Sequence, residues 1–371
     1  MRKTSKKGVV IWGTLFSAEF LFNKIKEKEN VICFIDNDAS KWGKNTFDDL
    51  QIESPEKLKQ LMKNDTITKI YLGISVLHYE DVYKQIKELN SKFDEIYGIT
   101  KHGEIYKYAF EEGEKPVLNY IEFDVIRKCN LNCRACNHFS NIVDHVGIYT
   151  VQNMERDFMR LSELFDNIEI IRMVGGEPFL NKDIGKMIRK VKEIFPKSNI
   201  EIVSNGLLIT KLSDEVVKAI ADENVQVCVT QYDAVKRMLP MIRAFCEKNK
   251  ISYCEFGYNR DEFKKVLNLS GDSDKEKIFK QCQFRKCTTL YNGVIGHCSL
   301  ERYIYAFNKK YGTTLPENNG VNIYDPQITG WDIKNFLQTS SDMCCYCTEP
   351  ISIDWSNGIE NADINDWVVK F

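Results

Sequence analysis

The chain lacks a charge excess of either sign: 51 Lys and Arg stand against 53 Asp and Glu, for a formal net charge of −2. Such a balance gives no general attraction to nucleic acid or to an anionic membrane. Long apolar runs are missing too. The longest, such as Gly8 to Gly13, are strand-sized and far too short to span a bilayer. Arg2, Lys3, Lys6 and Lys7 precede an apolar segment of only about six residues, too short for the core of a secretory leader, so a cytoplasmic protein is expected. Internal repeats and low-complexity segments are absent. What the chain has in quantity is cysteine, thirteen in 371 residues. Without a leader these read as metal ligands or free thiols, not disulfides. Nine of the thirteen fall into two groups, which favours metal. The remaining composition, 43% hydrophobic and 28% charged, is that of an ordinary globular protein with room for two domains.

The front of the chain alternates strand and helix. Residues 7–12 form an apolar run suited to a strand buried on both faces, and a helical pattern follows through Asn30 with Phe20, Leu21 and Ile25 on one side. A second strand, 31–35, ends in Asp36, 23 positions after Gly13. That is the layout of a dinucleotide-binding crossover, but Leu15 and Ala18 stand where its second and third glycines belong, and a leucine hinders close approach of a pyrophosphate. With strands at 69–74 and 95–99 and a helix near 79–91, residues 1–100 are expected to form a doubly wound α/β domain. The segment Phe34–Gly43, with Ser54, Pro55 and Glu56, resembles the Rossmann-like domains attached to bacterial sugar-modifying and polysaccharide-pathway enzymes. The resemblance implies a nucleotide or nucleotide-sugar site near Gly13 and Asp36; a docking module that binds no nucleotide is the alternative. Residues 101–117, with Gly103, Gly113 and Pro116, read as a linker.

From residue 118 the strand–helix alternation resumes. Strands at 119–126, 168–174, 199–203, 225–230 and 251–256 alternate with helices near 153–165, 182–194, 213–222 and 235–248. Repeated βα units mean a parallel sheet, here a partial β/α barrel over residues 118–275. In such a fold the working residues lie where strands end. Cys129-Asn130-Leu131-Asn132-Cys133-Arg134-Ala135-Cys136 follows the first strand, Gly175-Gly176-Glu177-Pro178 the second, and Ser204-Asn205 the third. Thiolates are soft ligands for iron–sulfur clusters or zinc, and three in one loop can address one metal centre. A zinc knuckle completed by His138 or His145 is the competing reading.

The cysteine loop, with Gly-Gly-Glu-Pro about 40 residues on, resembles the radical S-adenosylmethionine (radical SAM) superfamily. The resemblance implies a four-iron cluster held by Cys129, Cys133 and Cys136, with one iron open to S-adenosylmethionine. It implies that Gly175, Gly176 and Glu177 meet the cofactor's amine and that Ser204 and Asn205 reach the ribose. The family usually has an aromatic residue before the third cysteine to pack on adenine. Here that position is Ala135, which leaves His138 or Phe139 as candidates.

A second cysteine group comprises Cys282, Cys287, Cys298, Cys344, Cys345 and Cys347. Residues 288–291, Asn292-Gly293 and 294–297 read as a β-hairpin with a two-residue turn, which counts Cys287 across from Cys298. The spacings Cys282-x10-Gly293-x4-Cys298 and Cys344-x2-Cys347 resemble the superfamily's auxiliary-cluster domains, SPASM and its shorter one-cluster form, twitch. The resemblance implies one auxiliary four-iron cluster over residues 276–350, held by Cys298, Cys344, Cys347 and either Cys282, on spacing, or Cys287, on hairpin geometry. A structural zinc ribbon is the alternative. Cys33, Cys228, Cys246 and Cys254 sit in apolar or helical runs and read as buried small hydrophobes. Arg172, Gln231, Tyr232 and Asp233 stand near strand ends as candidate substrate contacts or plain loop positions. Residues 351–371, with Trp355 and Trp367, read as a packed tail without a motif.

The resemblance implies reductive cleavage of S-adenosylmethionine to a 5′-deoxyadenosyl radical, which abstracts hydrogen from a substrate, with electrons from a flavodoxin- or ferredoxin-type donor. One-cluster caps and a sugar-pathway-like front domain together favour dehydrogenation or epimerisation of a carbohydrate-like small molecule. The rivals are a peptide-modifying maturase and a non-catalytic cluster-bearing sensor or scaffold.

Overall fold

Five consecutive buried residues make β1 (Gly8–Trp12) a central strand, as its apolar run requires. It heads a sheet that also contains β2 (Val31–Ile35), β3 (Ile52–Glu53), β4 (Ile67–Leu72), β5 (Ile96–Ile99) and β6 (Ile105–Lys107). Their order is β3-β2-β1-β4-β5-β6, parallel throughout except for β6 on β5. Helix Phe16–Ile25 packs Ala18, Leu21, Phe22 and Ile25 on one face, with Val9 and Ile11. Helices Pro55–Lys63 and Tyr79–Leu89 cover the other face over Val10, Trp12 and Ile70. This is the doubly wound arrangement expected. The coordinates are a computed structural model and describe residues 7–99, 103–109, 115–143, 149–256, 262–317, 319–357 and 362–371.

The chain divides into two units, Met1–Glu112 and Gly113–Phe371. The first runs past residue 100, where a boundary was expected, because β6 finds a hydrogen-bonded partner in β5. Residues 105–107 of the expected linker are therefore strand, and its Gly113 lies outside the described residues.

The second unit opens with β7 (Val117–Ile126), followed by β8 (Asn167–Gly175), β9 (Asn199–Ser204), β10 (Gln226–Thr230) and β11 (Ser252–Phe256). Each pairs in parallel with the next, so chain order is also sheet order, the pattern of an open barrel. Helix Val151–Leu164 buries Met154, Phe158, Leu161 and Leu164, the face that its spacing predicts. The helix expected over 235–248 breaks instead into Asp233–Lys236 and Leu239–Lys248. Pro240 has no N–H and its ring would clash with the preceding turn, so the second helix starts beside it.

The cysteine-rich C-terminal region follows the barrel strands and adds both to their sheet and to a sheet of its own. After β12 (Glu262–Asn268) come β13 (Thr289–Tyr291), β14 (Val294–Gly296) and β15 (Val321–Asn322). These last three extend the barrel sheet beyond β7, with β13 parallel to it. The predicted hairpin turn is present, with Asn292 and Gly293 both at positive φ, 49° and 73°, as a type I′ turn demands. It is anchored by the fully buried Asp157 of helix Val151–Leu164, which accepts from the Gly293 N–H (2.9 Å) and from the Tyr149 and Tyr324 hydroxyls. A third sheet joins β12 to β16 (Cys347–Asp354) and β17 (Val368–Lys370). β16 crosses residue 350, so the boundary expected between cap and tail falls inside a strand, because β12 pairs along its length.

Candidate active site

The Gly-Gly-Glu-Pro turn is stitched to the entrance of the cysteine loop. Gly176 N–H donates to the Ile126 carbonyl (2.8 Å) and Glu177 N–H to the Lys128 carbonyl (2.9 Å). A Cβ on Gly175 would lie 2.1 Å from the Ile126 oxygen, and one on Gly176 2.1 Å from the Lys128 oxygen. Gly175 also has φ +131°. In this structure the glycines are needed to lay one loop's backbone on the other, in addition to any approach by a ligand. Glu177 is 0% exposed, and its side chain does not reach the cavity wall. Its carboxylate accepts from Ser204 Oγ (2.8 Å), Asn205 N–H (2.9 Å) and Phe179 N–H (3.2 Å). Burial pushes its pKa up to about 7, although these donors oppose the rise. Glu177 thus locks the end of β9 to the turn after β8. Asn205 completes the assembly by donating its side-chain amide to Asn130 Oδ1 (2.7 Å), within 3.9 Å of Cys129 Sγ.

A cavity of about 560 Å³ opens on this assembly. Cys129, Cys133, Cys136, Gly175, Gly176, Ser204 and Asn205 all line it. The sulfurs have N–H groups aimed at them: Leu131 N lies 3.4 Å from Cys129 Sγ and Trp355 Nε1 3.4 Å from Cys133 Sγ. Burial pushes the Cys129 thiol up to about 11 and Cys133 to about 12. As free thiols they are protonated at neutral pH; coordination to a metal deprotonates them. Among the described residues, no three His, Cys, Asp or Glu side chains are grouped to hold a single metal ion. A cluster takes one thiolate per iron, so its ligands need only face one cavity. The donor set therefore fits such a cluster. Of the two histidines weighed for a zinc knuckle, His145 lies outside the described residues, and His138 pairs with Asp124 at 3.3 Å. Burial opposes charge on His138, but Asp124 and Glu122 more than offset it, raising its pKa to about 9.

Ala135 is buried at φ 52° beside Phe139, Phe307 and Trp367. An aromatic ring would not fit there, which accounts for the small residue. Phe139 is fully buried against Phe307 and Trp367 and does not reach the cavity, whereas His138 does. The aromatic wall comes from elsewhere: Tyr232 stacks between Phe263 (5.9 Å) and Trp355 (5.4 Å), and Tyr232 and Phe263 line the cavity. Arg172 lines it while bonded to Glu201 (2.6 and 2.9 Å); Gln231 and Asp233 do not. Sequence reasoning missed Glu122, a buried carboxylate on the cavity wall held by the Tyr120 and Thr289 hydroxyls. The available signal was two acids, Glu122 and Asp124, inside an otherwise apolar strand.

The tail is part of the site. Trp367 Nε1 donates to the Cys136 carbonyl (3.1 Å), Asn132 N–H to Asn357 Oδ1 (2.7 Å) and Arg134 N–H to the Ser356 carbonyl (3.1 Å), while Arg134 also pairs with Asp366. These contacts lay residues 355–357 and 366–367 over the cysteine loop.

Burial raises the Cys298, Cys344 and Cys347 thiols, and Cys282 adds to the rise at each, as Cys347 does at Cys298 and Cys344 at Cys347. Those four are electrostatic neighbours. Cys287 lines the main cavity beside Glu122 and Arg172, and Cys282 is its electrostatic neighbour as well. Counting along the hairpin failed because pairing stops at Thr289 and Gly296: β13 there turns onto β7, and Cys298 caps helix Ser299–Tyr311.

In the first unit, Asp36 is engaged by Thr14 Oγ1 (2.5 Å) and Lys41 Nζ (2.9 Å). Leu15 and Phe16 are 71% and 80% exposed where a glycine-rich loop would present its amides.

Residues 123–269 match the radical SAM superfamily and residues 5–97 the family described as C2185-like, N-terminal. The second unit therefore carries a radical SAM domain, the class of enzyme domain that works with a four-iron cluster and S-adenosylmethionine. Among curated proteins, a GTP 3′,8-cyclase of Syntrophomonas wolfei subsp. wolfei is 30% identical over 104 residues, 28% of this chain and 31% of that protein. Molybdenum cofactor biosynthesis protein 1 of Dictyostelium discoideum is 30% identical over 131 residues, 30% of this chain and 20% of the relative. The chain thus spans a third or less of these relatives' length. Among solved structures, BtrN in complex with AdoMet and 2-DOIA aligns over 63% of this chain and 94% of its own at 17% identity, TM-score 0.39. Among the described residues no helix is long and apolar enough to cross a membrane.

Proposed function

We propose that the protein is a cytoplasmic radical SAM enzyme that oxidises or epimerises a carbohydrate-like small molecule. The observation that carries this reading is one cavity lined at once by the three loop thiols, the Gly175-Gly176 turn and the Ser204-Asn205 strand end. With a reduced cluster and S-adenosylmethionine bound, the chemistry supplied is a 5′-deoxyadenosyl radical, with electrons from a flavodoxin- or ferredoxin-type donor. The chain's own part is to hold and enclose. Cys129, Cys133 and Cys136 would hold the cluster, and the Gly175-Gly176 backbone would receive the cofactor's amine. Glu177 keeps that turn and the end of β9 in register, and Tyr232 and Phe263 offer flat apolar wall. Glu122, His138, Arg172, Lys264 and Gln283 give the cavity a concentration of hydrogen-bonding groups, which suits a hydroxyl-rich substrate more than an apolar one. Cys282, Cys298, Cys344 and Cys347 would hold an auxiliary four-iron cluster.

Anaerobic reconstitution with iron and sulfide tests the reading. About eight irons per chain are expected, falling to about four in a Cys129/Cys133/Cys136→Ala variant, with 5′-deoxyadenosine formed by the wild type alone. Wild-type protein that takes up no iron at the loop would end the proposal.

A further inference from the structure

Two of the cysteines that read as isolated hydrophobes are partners. Cys228 on β10 and Cys254 on β11 are register neighbours in the parallel ladder, and their sulfurs lie 2.7 Å apart. Adjacent strands run about 4.8 Å apart, inside the Cα separations that disulfides bridge. Cys228 is fully buried, whereas Cys254 is half-buried on β11, which forms the edge of its sheet. Of the two residues, Cys254 is the less buried and therefore the one a small reagent would meet first. The pair also stands on the cavity side of the sheet: Thr230, two residues beyond Cys228, lines the cavity, and Arg172 and Glu201 are electrostatic neighbours of both thiols.

We propose that Cys228 and Cys254 are a redox-active dithiol that closes to an intrachain disulfide by exchange with a low-molecular-weight disulfide. The Cys254 thiolate attacks one sulfur of the reagent, breaking its S–S bond and releasing the first thiol. Cys228 then attacks the Cys254 sulfur and displaces the second. Two electrons pass from the protein pair to the reagent, and the two thiol protons leave with the two released thiols. Closure ties the edge strand β11 covalently to β10, its ladder partner.

The test uses reconstituted holoenzyme equilibrated anaerobically with glutathione at rising disulfide-to-thiol ratios, then acid-quenched, alkylated with iodoacetamide and digested with trypsin. Cys228 and Cys254 fall on separate peptides, 219–236 and 251–260. The expected result is a linked species, two hydrogens lighter than the sum of the two peptides, that grows with the ratio and is absent from Cys254→Ser. Recovery of both peptides only as alkylated or glutathionylated singles, at every ratio, would overturn the assignment.

Discussion

Replacing Gly176 with alanine puts the contact between the two site loops to a quantitative test. The added methyl would start 2.1 Å from the Lys128 oxygen and 2.3 Å from its carbonyl carbon, both backbone atoms that no side-chain rotation can move. Real contacts of this kind do not fall below 3.0 Å, so the loops must part by about 0.9 Å. Parting strains the Gly176–Ile126 and Glu177–Lys128 hydrogen bonds, each worth ~1 kcal/mol net. Overpacking adds ~1–3 kcal/mol. The expected loss is on the order of 3–5 kcal/mol, read as a lowered urea midpoint of the apoprotein. Because Lys128 precedes Cys129, iron at the loop should fall by about four per chain while the C-terminal site keeps its own. Gly185→Ala is the control: its nearest neighbour would be 3.6 Å away, inside helix Ile184–Ile194, and alanine there should stabilise by ~0.5–1 kcal/mol. A Gly176→Ala protein with a wild-type midpoint and full iron would refute the packing argument.

Trp355→Phe keeps the apolar ring but removes the N–H aimed at Cys133; potentiometry should find the loop cluster's midpoint more negative, since hydrogen bonds to the sulfurs raise it. Cys282→Ser should lose about four irons and Cys287→Ser none; the reverse pattern would undo the ligand assignment. Glu177 binds its proton more tightly when folded, about 7 against an ordinary 4.5, so the folded state carries the extra proton between those values and stability falls as pH rises through them. Over that window the wild type should lose on the order of 2–4 kcal/mol relative to Glu177→Gln in urea titrations; parallel pH profiles would contradict the burial argument.

The cysteine loop, the Gly-Gly-Glu-Pro turn and the end of β9 were legible because each is contiguous and each follows a strand with a clear apolar pattern. What escaped depends on which atoms lie opposite. Nothing in the spacing of Gly175 and Gly176 reveals a carbonyl 2.1 Å from where a side chain would begin. Ala135 stood out as a departure, but its cause is a left-handed backbone in a packed aromatic core. Cys287 rivals Cys282 as a ligand only if the hairpin is extended two residues past the point where its strands separate. Trp355 and Trp367 carry no local signal, since their partners are more than 200 residues away in the chain.

That last separation has a consequence for biosynthesis. Trp367 closes on a carbonyl 231 residues earlier in the chain. At ~5–20 residues per second, a ribosome needs roughly 10–50 s to cover such a stretch. Throughout that interval the cysteine loop exists without the two indoles that later bond the Cys133 sulfur and the Cys136 carbonyl. The loop therefore has its full set of backbone and indole contacts only once residue 367 has been made.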